Sequence, residues 1–155
     1  MKKQLQSFWH AITGIGGALL TEAHLRFHAV AALFVLIFAG ICNFSAERFA
    51  ILAVLIGAVI ALELVNTAIE YACNAVTREY NAQIKLAKDL ASSAVLVVAV
   101  AAIAVAALFF LNADSIGTAV RFFSEYPFAA VPLVILAALS FVFVAFFGRL
   151  FKKEK

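Results

Sequence analysis

At 155 residues, 66% hydrophobic and only 14% charged, the chain lies far from soluble domains, where about 45–50% apolar and roughly 25% charged residues are usual. The mean hydropathy of +1.06 is concentrated in long uncharged runs, which a bilayer solvates and water does not, so the class is an integral membrane protein. A net charge of +3 from 12 basic and 9 acidic residues is too small to suggest nucleic-acid binding and leaves lipids and small ligands as partners. Cys42 and Cys73 lack C-x-x-C spacing and read as small apolar residues, not as a metal or redox pair.

In residues 1–21, Leu5, Phe8, Trp9, Ile12, Ile15 and Leu19 follow helical i, i+3, i+4, i+7 spacing, with Lys2, Lys3 and Gln6 elsewhere. That pattern predicts an amphipathic helix lying in the membrane interface. A signal peptide is the competing reading, but Gly14, Gly16 and Gly17 interrupt the apolar patch and no clean cleavage site follows. Phe27 to Ala46 forms a first uncharged span, with Glu22, His24, Arg26 and His28 at its start. Glu22 and Arg26 stand at i, i+4 spacing, which permits a simple ion pair. The histidines read as interfacial polar residues, because nothing at zinc-ligand spacing accompanies them.

The second span differs. Only Phe49 to Leu62 is uncharged, yet the helical pattern runs on through Glu63, Asn66 and Glu70 with no Gly or Pro to stop it. Glu63, Asn66, Thr67, Glu70 and Asn74 share roughly a 100° arc, a polar stripe at about 100° per residue. Leu90 to Ala113 and Tyr126 to Gly148 are the third and fourth spans, separated by a loop over 113–125. The chain thus divides into a unit of residues 1–112 and an extension of residues 113–155, the latter carrying the loop, the fourth span and a basic tail. The fold class expected is all-α membrane. With the N-terminus cytoplasmic, all but Arg48 and Arg121 of the 12 lysines and arginines lie inside, as the positive-inside rule favours.

Carboxylates within a transmembrane helix cost roughly 2.5–3.5 kcal/mol each on insertion scales, which makes Glu63 and Glu70 functional candidates. A hydrogen-bonding seam between helices is the plainer explanation, though Asn66 and Thr67 alone would satisfy it. Lys85, Lys88, Asp89 and Ser92 form a second cluster at the entry of the third span; Lys85 by itself fits a topological anchor equally well. Dispersed carboxylates, a Lys-Asp pair and an Asn at one membrane face suggest a divalent cation with phosphate chemistry. A small transporter using the glutamates as a proton or cation relay is the alternative from another class, and would place them near mid-span.

The run E-L-V-N-T-A-I-E at 63–70, followed by K-L-A-K-D-L-A-S-S-A-V-L at 85–96, resembles the signature of the small prokaryotic diacylglycerol kinase and undecaprenol kinase family. The match extends upstream through A-I-T-G-I at 11–15 and T-E-A-H-L-R at 21–26, and so covers about residues 5–112. The resemblance implies a homotrimeric lipid kinase of the bacterial inner membrane, with a surface helix, three spans per chain and composite sites at the cytoplasmic face. It implies ATP with Mg²⁺ as phosphoryl donor. By position it makes Glu63 the catalytic base and Asn66 a residue that orients the site. Glu22 and Glu70 become metal ligands that also meet the nucleotide, Lys88 and Asp89 nucleotide contacts, Glu79 to Asn81 a nucleotide loop, and Ser92 a lipid contact. The chain departs from the family pattern at Thr13, Asn74 and Asn81, and in its fourth span.

Overall fold

The fold, taken from a computed structural model, is described over residues 2–77 and 79–151. In hydrocarbon no water can satisfy a free N–H or C=O, so a chain this apolar must pair its backbone within helices. The described residues form α1 (Lys2–Thr21), α2 (Ala23–Ile41), α3 (Ala46–Val76), α4 (Ala82–Phe110) and α5 (Ala113–Glu125), then a 3₁₀ turn (Pro127–Ala129) and α6 (Ala130–Phe151). Four helical segments, Ala23–Ile41, Ala46–Val76, Ala82–Phe110 and Pro127–Phe147, are long and apolar enough to cross a membrane. The all-α membrane architecture read from the sequence therefore holds.

One residue separates α1 from α2. Glu22 adopts an extended conformation (φ −102°, ψ 116°), and this break sets the angle between the surface helix and the bundle. Arg26, only 3% exposed, turns back across it: Nη1 donates to the carbonyls of Leu19 (3.0 Å) and Leu20 (3.1 Å). Those carbonyls belong to the last turn of α1, where no intrahelical donor remains and a cation meets the negative end of the helix dipole. Nη2 reaches the Val144 carbonyl of α6 at 3.5 Å. The Glu22–Arg26 ion pair permitted by their spacing does not form, because Glu22 lies outside both helices and the i, i+4 rule applies only within one.

At the opposite end, α2 and α3 join through a tight turn in which Asn43 takes φ 52°, a left-handed conformation that asparagine tolerates. Ala39, Phe44 and Leu52 are buried there among Val35, Cys42, Phe49, Phe109 and Phe110. The Arg48 guanidinium stands 5.3 Å from the Phe44 ring and 5.4 Å from that of Phe109, a cation–π clamp on the α3–α4 pair.

Residues 113–125, expected as a loop, form the amphipathic α5. Asn112 caps it by accepting from the Ser115 N–H at 2.9 Å, and the buried Ser115 hydroxyl donates to the Phe109 carbonyl at 2.8 Å. Ile116, Val120 and Phe123 turn toward Phe38 and Phe110, while Asp114, Arg121 and Glu125 occupy the same short helix. A search for long uncharged runs passes over such a segment, since its signal lies in periodicity. Pro127 starts the 3₁₀ turn and Pro132 falls in the first turn of α6, where a missing N–H is tolerated. From there α6 packs against α2 and α1. Lys152, Lys153 and Lys155 of the expected basic tail lie outside the described residues.

Two outcomes follow from this packing. Arg26→Ala should cost about 1–3 kcal/mol through lost charge-assisted hydrogen bonds, read as a lower thermal midpoint in detergent micelles that Arg26→Lys partly restores. A chain ending at Asn112 should still insert and phosphorylate lipid, with a lowered midpoint because α6 no longer covers Arg26. A folded, inactive truncation would place α6 in the working site.

Candidate active site

The polar stripe on α3 is real and graded. Glu63 and Thr67 are buried, Asn66 and Glu70 half-buried, and Asn74 exposed, so over roughly 16 Å, at about 1.5 Å per residue, it climbs from the interior to the helix end. Glu63 and Asn74 find partners on α2 and α4, Asn66 and Glu70 bond each other within α3, and Tyr71 beside them meets the α1–α2 break.

Deepest is Glu63, 7% exposed. Its Oε1 lies 3.0 Å from Nε2 of His28 on α2. The sequence reading left His28 as an interfacial polar residue; the α2–α3 hairpin instead lays the start of α2 beside the second half of α3. A useful signal was present, because a carboxylate this far inside a span needs a partner and His28 is the ionisable residue nearest the first span's interior. Asn66 donates through Nδ2 to Glu70 Oε1 at 3.4 Å, and its Oδ1 is buried with no partner among the described residues.

One turn further out, Glu22 at the α1–α2 break meets Tyr71 of α3. The Tyr71 hydroxyl donates to Glu22 Oε1 at 2.8 Å and lies 3.1 Å from Thr21 Oγ1. Tyr71 directly follows Glu70 on α3, so its phenol ties Glu22 to the helix that carries Glu70. Sequence reasoning did not single out Tyr71. Between α1 and α3 a cleft of about 780 Å³ opens, lined by Gly14, Gly17, Ala18, Leu64, Thr67 and Tyr71 among others.

On the α4 side, Lys88 Nζ donates to Asn74 Oδ1 at 2.7 Å. Asp89 pairs with Lys85 at 2.6 Å, both side chains more than half exposed, an arrangement worth at most a few tenths of a kcal/mol. The result is asymmetric: among the described residues Lys88 is held by a neutral amide, whereas Asp89 has a cationic partner. Ser92 Oγ donates to the Asp89 carbonyl at 3.0 Å. Asn81 is the N-cap of α4, its Oδ1 accepting from the Gln83 and Ile84 N–H groups at 2.9 and 3.2 Å. The Glu79 N–H donates to Thr77 Oγ1 at 3.1 Å.

Among the described residues no three His, Cys, Asp or Glu side chains gather as a metal cage. The carboxylates of Glu22 and Glu70 nevertheless suit Mg²⁺ in kind, since it keeps several waters and takes one or two carboxylates plus the phosphates of its substrate. The donor set fits an ion that arrives on a nucleotide.

Comparison with known proteins agrees with this architecture. The family described as "Prokaryotic diacylglycerol kinase" matches residues 9–110. The chain is 39% identical over 111 residues to undecaprenol kinase of Bacillus subtilis (strain 168), covering 72% of this chain and 90% of that one. It is 36% identical over 102 residues to diacylglycerol kinase of Synechocystis sp. (strain ATCC 27184 / PCC 6803 / Kazusa), covering 65% of this chain and 58% of that one. No solved structure matches.

Proposed function

Because the chain belongs to the prokaryotic diacylglycerol kinase family and is a multi-pass membrane lipid kinase, we propose that it transfers the γ-phosphoryl group of ATP to the hydroxyl of a membrane lipid, undecaprenol or diacylglycerol. The observation that carries this reading is Glu63: a carboxylate buried within a span, with one oxygen against His28 and the other without a hydrogen-bond partner among the described residues. The lipid O–H proton passes to that free oxygen. The hydroxyl oxygen's electron pair forms the new bond to the γ-phosphorus as the bond to the β,γ-bridging oxygen breaks, and ADP leaves.

The remaining residues surround that step. Glu22 and Glu70 would hold Mg²⁺, which when bound neutralises charge on the β- and γ-phosphates. Lys88, held by the neutral amide of Asn74, attracts phosphate oxygens, and Asp89, Glu79 and Asn81 border the nucleotide. Asn66 steadies Glu70 and leaves its buried carbonyl oxygen for a donor brought by the substrate. Ser92 faces the lipid. For the lipid tail there is an apolar slot of about 240 Å³ between α2, α3 and α4, with His28 and Phe27 among its lining residues. The proposal places this end of the bundle, and both termini, on the cytoplasmic side of a bacterial inner membrane, and completes the site in a homotrimer. A proton-relay subunit is disfavoured, since Glu22, Glu70, Lys88 and Asp89 lie toward one end of the bundle, where phosphate chemistry and not a path through the span is served.

The decisive assay is transfer of labelled phosphate from ATP to a panel of membrane lipids by purified protein; no labelled lipid from either substrate class would defeat the reading. Glu63→Gln should lower kcat by about 10²- to 10⁴-fold with ATP binding retained, and wild-type turnover would remove Glu63 as base. Glu22→Gln and Glu70→Gln should each raise the Mg²⁺ concentration for half-maximal activity, because a hard cation loses an anionic ligand. Tyr71→Phe should shift it in the same direction by less. Unchanged half-saturation in both glutamate variants would count against the metal role.

A further inference from the structure

We propose that His28 is a positioning residue for Glu63: its Nε2–H donates to Oε1, fixes the carboxylate's orientation and leaves Oε2 as the oxygen that accepts the lipid proton. The inference deepens the lipid-kinase reading and rests on it.

Geometry and elimination both support it. Nε2 of His28 stands 3.0 Å from Glu63 Oε1, with the side chains 20% and 9% exposed. A carboxylate so enclosed in an apolar bundle requires a donor, and no other described side chain supplies one. On α2, Arg26 is committed to the carbonyls of Leu19 and Leu20, and His24 is exposed. On α3, inward of the helix end, the Tyr71 hydroxyl is committed to Glu22 and Glu70 accepts from Asn66. Beyond Asp89, α4 has no ionisable residue, and α6 has none through Phe147. The imidazole itself is held in place, its ring edge-on to Phe27 with centroids 5.6 Å apart and planes at 75°. His28 also lines the apolar slot between α2, α3 and α4, so a lipid whose tail enters that slot presents its hydroxyl beside the His28–Glu63 pair. A base must be held within a fraction of an ångström of its proton, and the hydrogen bond from a packed ring supplies that constraint.

The test compares two substitutions in the full chain. His28→Leu fills the slot without a donor; His28→Gln places an amide N–H at the same number of bonds from Cα as Nε2. With labelled ATP and a lipid substrate, His28→Leu is expected to lower kcat roughly 10- to 100-fold, the usual loss when an orienting hydrogen bond is removed, with the KM for ATP unchanged. His28→Gln should recover most of it. In a Glu63→Gln background, where there is no base left to orient, His28→Leu should cause no further loss. Wild-type kcat in His28→Leu overturns the proposal. So does a His28→Gln protein that is folded by its thermal midpoint yet no more active than His28→Leu, or an equal loss with and without Glu63. Should Glu63→Gln alone keep wild-type turnover, the base assignment fails first and takes this inference with it, an outcome distinct from failure at His28.

Discussion

A charged side chain inside a membrane-spanning bundle must have a partner in the same place, because neither lipid nor a distant water can stabilise it. Two such groups organise this molecule. Arg26 meets the exposed carbonyls ending α1, and Glu63 meets His28. The first contact fixes the surface helix against the bundle and draws in α6; the second ties α2 to α3 at the depth where the polar stripe begins. Between lipid-facing helices there is little hydrophobic drive to associate, so these polar contacts set the geometry that the apolar surfaces then fill.

The same economy explains how the site is assembled. The elements at that end meet α3 through polar side-chain contacts: Tyr71 with Thr21 and Glu22, Glu63 with His28, Asn74 with Lys88. The long helix α3 is the common template, and its continuation well past the last apolar turn is what brings a surface helix, a first span and a third span to one line of residues. Charge is apportioned unequally along that line. Glu22 stands where α1 meets α3, and the Lys88 ammonium stands where α4 meets α3.

Much of this was legible in the sequence. The stripe from Glu63 to Asn74 follows from helical spacing alone, the spans follow from uncharged length, and the family followed from E-L-V-N-T-A-I-E with K-L-A-K-D-L. What could not be read is pairing across elements. His28 and Glu63 are separated by a turn whose geometry depends on Asn43, and Tyr71 reaches Glu22 only because the chain breaks at residue 22. That break also cancels the Glu22–Arg26 pair, a local rule defeated by one extended residue. Asn81 shows the reverse: its capping role follows from an Asn ahead of a helical pattern, yet resemblance drew attention to the nucleotide instead. The helix over Ala113–Glu125 was hidden for a third reason, since its apolar face is too narrow to register as a hydrophobic run.

The well-packed apolar cluster of Ala39, Phe44 and Leu52, with Arg48 over the rings of Phe44 and Phe109, sits at the end of the bundle far from these polar contacts. Such placement divides the molecule into a stiff end and a compliant one. Apolar packing dominates around Phe44 and Phe109, whereas the α1–α2 break and the start of α4 are held by hydrogen bonds, the kind of contact that opens locally at lower cost. The α2–α3 hairpin is thus fastened in two different ways, by ring packing at its turn and by hydrogen bonds between elements at its open end.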